Sequence, residues 1–113
     1  MGDKAQAAAP AVVTVYSQPG CQPCRATHKR LQALGVDHSY IDVTQEPDAL
    51  DAIKALGYAT TPVVQVTCPV PNAKPVQVSW SGMRYDAMNA LAKVASGDSG
   101  VDTLLPFDKA GQV

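Results

Sequence analysis

The chain has 113 residues, 46% hydrophobic and 17% charged, with 9 basic and 10 acidic side chains leaving a formal net charge of −1. That is enough apolar material for one compact domain and too little length for two, and the near balance of charge excludes a broad basic surface for nucleic acid or anionic lipid. Its 3 cysteines make a poor framework for a disulfide-stapled secreted fold, so a reducing, cytoplasmic setting is expected.

Residues 1–10 are rich in alanine, carry Asp3 and lack the continuous apolar core of a secretory signal, so they are expected to form a flexible leader. The run Ala11 to Tyr16 is β-branched and apolar and ends in the turn formers Ser17-Gln18-Pro19-Gly20, which predicts a buried central strand. From Gln22 to Leu34 the spacing of Thr27, Leu31 and Leu34 predicts a helix stopping at Gly35. A second strand is expected over Ser39 to Val43. Glu46-Pro47 then opens a helix with Ala49, Ile53 and Leu56 turned inward. Strand, helix, strand in this order makes a right-handed crossover with parallel strands.

Val63 to Val66 and Val76 to Trp80 alternate as an antiparallel hairpin, and the stretch Thr67 to Pro75 between them, with three prolines and Cys68, is predicted as an irregular connection. A last helix over Tyr85 to Ala95 would bury Tyr85, Met88, Ala92 and Ala95. Residues 96–113 are rich in Gly, Ser and Asp and are expected to be a mobile tail whose apolar patch, Leu104 to Phe107, packs loosely on the body, with a docking role as the alternative. The resulting order, βαβα then ββα over residues 11–95, builds an α/β domain with a four-stranded mixed sheet flanked by helices, the thioredoxin fold in minimal form. Nothing approaches the roughly 20 apolar residues of a membrane-crossing helix, so no membrane association is expected.

Cys21-Gln22-Pro23-Cys24 stands where the first strand hands over to a helix. Unpaired N–H groups and the positive end of the helix favour an anion there, so the Cys21 thiol should ionise below the ordinary value of about 8.5. Cys24, one turn on, is close enough to bond Cys21 yet shielded from a large partner. Cys21 is therefore the expected attacking sulfur and Cys24 the resolving one. Pro23 suits the first helical turn. Arg25 adds positive charge nearby, with a solvated side chain as the plainer account. A metal module built from Cys21, Cys24, His28 and Cys68 is a weaker reading, because no second ligand pair at structural-zinc spacing exists. Cys68 itself reads as an incidental thiol.

Together, Val15 to Cys24, Gly57 to Val64 and Trp80-Ser81-Gly82-Met83-Arg84 resemble the NrdH-redoxin branch of the glutaredoxins over about Val12 to Val94. The resemblance implies a redox-active Cys21–Cys24 disulfide with no bound cofactor. It also implies a cis Thr61-Pro62 bond facing the cysteines and a partner-binding surface from Thr61, Pro62, Trp80, Ser81, Gly82, Met83 and Arg84. The backbone of Thr61 would then pair with a partner as an added strand. For Trp80, core packing is the better reading. The resemblance further implies electrons from NADPH through thioredoxin reductase, a class Ib ribonucleotide reductase as acceptor, and a monomeric protein. Glutathione-dependent glutaredoxins carry an acidic pair where Ser81-Gly82-Met83-Arg84 stands and a Lys near Gln18, and neither is present. A glutaredoxin using glutathione or another low-molecular-weight thiol is thus the alternative. Gln22-Pro23 departs from the residues usual between NrdH cysteines.

Overall fold

Four strands and three helices make up the body of the computed structural model, which describes residues 11–70 and 72–110. The leader assigned to residues 1–10 lies outside them. The strands are β1 (Val12–Ser17), β2 (Ser39–Asp42), β3 (Val63–Cys68) and β4 (Val76–Ser81), in sheet order β2-β1-β3-β4. β1 and β2 are parallel, as the crossover rule requires, while β3 lies antiparallel to both β1 and β4.

Alternation along the strands sends side chains to opposite sheet faces. Val13, Val15, Val64, Val66, Val78 and Trp80 share one cluster with Leu31, Met88 and Leu91 of helices α1 (Gln22–Ala33) and α3 (Tyr85–Ala95). Tyr16 and Val63 share the other with Ile53 of helix α2 (Pro47–Ala55), Val43 and Tyr58. Helices thus cover both faces. The chain ends α1 at Gly35, whose φ of +75° closes the turn that glycine best tolerates.

Three elements differ from expectation. β3 runs on through Cys68, which pairs with Val76, because the first residue unable to donate to the ladder is Pro69. Cys68 is therefore a buried strand residue and not a loop thiol. In α3 the inward positions are Ala87, Met88 and Leu91, whereas Tyr85 is exposed. Burying Leu91 removes more apolar area from water than burying Ala92 or Ala95, and the helix is rotated accordingly.

The segment after Ser96, expected to be mobile with its apolar patch only loosely packed, is seated closely against the body as far as Ala110. It forms two short 3-10 turns, Val101–Thr103 and Leu105–Phe107, and sinks Leu104 to 0% exposure in the Trp80 cluster. Its end runs parallel to β4: Lys109 donates its N–H to Ser79 O, Ser81 donates to Ala110 O, and the Asp108 carboxylate accepts the Ser79 N–H. One buried leucine and these ladder bonds hold a stretch whose composition reads as loose. Among the described residues no helix is long and apolar enough to cross a membrane.

Candidate active site

The turn after β1 delivers Cys21 to the start of α1. Gly20 takes φ +76°, the Cys21 N–H donates to Gln18 O at 3.3 Å, and Cys21 becomes the helix N-cap. Its sulfur accepts the Cys24 backbone N–H at 3.2 Å, so one of the orphan donors of the first turn is aimed at the atom that must carry negative charge when reduced. Cys21 and Cys24 are joined as a disulfide. Cys21 is 9% exposed and Cys24 0%, so an approaching molecule meets Cys21 first.

Opposite the disulfide, Thr61-Pro62 is a cis peptide, and the Thr61 hydroxyl donates to the Cys21 sulfur at 3.5 Å. The loop after β4 braces this platform from behind. Gly82 donates its N–H to Pro62 O at 2.9 Å, and the Ser81 and Thr60 hydroxyls lie 3.4 Å apart. Met83 Sδ accepts a hydrogen bond from the Thr27 hydroxyl on α1 at 3.2 Å. Of the residues expected at a partner surface, Thr61, Gly82, Met83 and Arg84 keep partial exposure, whereas Pro62, Trp80 and Ser81 are buried. Trp80 is at 0%, a core residue supporting the loop that follows it.

A groove of about 470 Å³ runs beside Cys21 on the α2 side, lined by Gln18, Gly20, Gln22, Pro23, Val43, Leu50, Ile53, Ala59, Thr60 and Thr61. Among the described residues no charged side chain lines it. Leu50, which falls outside the expected Ala49, Ile53 and Leu56 stripe, was findable because it lies one turn before Ile53. Arg25 and Lys29 point to solvent, and Arg30 turns to Asn89 and the face of Tyr85.

His28 does not join the cysteines. Its Nδ1 lies 2.7 Å from His38 Nε2 and its ring stacks on Tyr40. Desolvation, then the charge of His38, lowers the His28 pKa below the ordinary histidine value. Burial pushes the Cys68 thiol up. Among the described residues no group of three or more His, Cys, Asp or Glu side chains is placed to hold a metal ion.

The glutaredoxin family model matches residues 13–67. The glutaredoxin-like protein NrdH of Salmonella typhimurium is 32% identical over 79 residues, 70% of this chain and 86% of that protein. The chain belongs to the NrdH-type glutaredoxin-like proteins. NrdH of Escherichia coli is 33% identical over the same coverage. A solved structure of the Escherichia coli NrdH-redoxin superposes with a TM-score of 0.55 at 32% identity, over 69% of this chain and 91% of that one. Trichomonas vaginalis thioredoxin superposes with a TM-score of 0.60 at 18% identity, over 80% and 84% of the two chains, which shows the shared fold. An NrdH-type protein with the Cys21–Cys24 pair closed at a helix N-terminus is a thiol-disulfide oxidoreductase.

Proposed function

We propose that this NrdH-type redoxin takes electrons from thioredoxin reductase, and ultimately from NADPH, and delivers them to protein disulfides, foremost that of a class Ib ribonucleotide reductase. The observation that carries this reading is the uncharged groove beside Cys21. Glutathione is held by its carboxylates and ammonium group, and among the described residues the groove has no charged side chain to pair with any of them. A protein segment laid along the Thr61 backbone needs no such pairing. The Escherichia coli relative is itself described as having a thioredoxin-like activity profile.

In the reduced protein the Cys21 thiolate attacks one sulfur of the partner disulfide. The partner's other sulfur leaves as a thiolate and takes up a proton, and a mixed disulfide remains. Cys24, deprotonated, attacks the Cys21 sulfur and expels the second partner thiolate. Two electrons have passed to the partner and Cys21–Cys24 is closed again. Thr61 and the Cys24 N–H, both directed at the Cys21 sulfur, stabilise its charge before attack.

A coupled assay tests the reductant: NADPH with thioredoxin reductase should reduce the disulfide rapidly, and reduction by glutathione alone would overturn the proposal. The acceptor is tested by trapping. Cys24→Ser should accumulate covalent complexes through Cys21, and a ribonucleotide reductase subunit absent from them, with turnover of that enzyme unsupported, would sink the ribonucleotide reductase assignment.

A further inference from the structure

The sulfur of Met83 ties the two walls of the site together. It accepts the hydroxyl proton of Thr27 at 3.2 Å, and Thr27 is fully buried in α1 one turn beyond Cys24. The neighbouring Gly82 donates to Pro62 O, so the loop carrying Met83 also carries the cis platform that faces Cys21. Met83 is partly exposed, whereas Met88 is at 0%. A thioether at a partly open position is the side chain most readily converted by oxygen transfer from soft apolar matter into a polar group.

We propose that Met83 is an oxidation site for peroxides and that its sulfoxide slows disulfide exchange at Cys21–Cys24. The Thr27 proton occupies one sulfur lone pair, leaving the other free to attack a peroxide oxygen. The O–O bond breaks, an S–O bond forms, the sulfur is oxidised by two electrons, and hydrogen peroxide is reduced to water. The new oxygen is a far better acceptor than the thioether and takes the Thr27 hydroxyl, so it must lie between hydroxyl and sulfur. Thr27 is fixed among core side chains of α1, and the loop is the part that yields. Moving Met83 away from α1 draws Gly82 and the Pro62 carbonyl with it and takes the Thr61 hydroxyl off the Cys21 sulfur.

The test uses the full chain with Cys21–Cys24 closed and Cys68→Ala, so that no free thiol competes for oxidant. After hydrogen peroxide treatment, peptide mass mapping should show one added oxygen on Met83 ahead of Met88. Reduction of insulin disulfides driven by dithiothreitol should fall several-fold relative to the untreated protein. Methionine sulfoxide reductase should restore it. For Met83→Leu in the same background, the ratio of treated to untreated activity should stay near unity whatever its starting rate. The proposal is overturned if Met83 stays intact while free methionine in the same solution is oxidised. It is equally overturned if Met83 is oxidised with no change in activity, or if Met83→Leu loses activity to the same extent.

Discussion

The Cys21 sulfur is positioned by two unlike donors, a backbone N–H fixed by the helix and a hydroxyl fixed by the loop opposite. Thr61→Val removes the second at nearly constant shape. Taking about 1 kcal/mol for such a bond, alkylation of reduced Cys21 by iodoacetamide at neutral pH should slow by about fivefold. Cys68 is the contrasting thiol: buried, raised in pKa and so held as the unreactive acid form. It should resist iodoacetamide in the folded protein and react only once the chain is unfolded in denaturant. For His28 the depressed pKa means that the unfolded chain binds the proton more readily than the folded one. Its contribution to stability is therefore full above the ordinary histidine pKa of about 6.5 and is lost as the pH falls below it. Thermal midpoints measured across that range should drop on acidification, and His28→Gln should flatten the profile. The cysteines were readable from sequence because motif, turn residues and helix start coincide within a few positions. The Thr27–Met83 bond was not, since a separation of 56 residues leaves no local pattern.

Elements were readable wherever their side chains alternate or repeat cleanly, and α3 was found at its full extent, Tyr85–Ala95. What failed there was the rotation of the helix, which depends on the relative size of Leu91 and its neighbours against a sheet not visible in the local pattern. The loop between β4 and α3 depends on Gly82, whose φ of +91° is a conformation that L side chains rarely adopt, although a Cβ there would meet nothing within 4 Å. Gly82→Ala is thus a backbone test free of steric clash. It should cost about 1–2 kcal/mol, read as a lower midpoint in urea. Insulin reduction should fall with it, because the same residue holds the Pro62 carbonyl.

Across the whole molecule, the order of elements determined the sheet because each connection has a preferred hand and each helix must cover a face. The tail escaped that logic: its one fully buried side chain, Leu104, and its bonds to β4 stand among residues that otherwise read as linker. Leu104→Ala should destabilise the protein by about 2–5 kcal/mol, the range for a fully buried leucine, and calorimetry would show it as a large fall in melting temperature. A similar melt for the variant and the parent would mean that the tail contributes little to the core. The strand-like run from Asp108 to Ala110 has one more consequence. A protein that exchanges disulfides meets other chains while parts of them are open, and an open chain adheres to any unpaired strand edge. Here the outward N–H and C=O groups of Ser79 and the N–H of Ser81 are already taken, and the opposite border of the sheet, β2, offers only four residues. Transient partners are thereby left with few backbone groups to add a strand to, other than those beside Cys21.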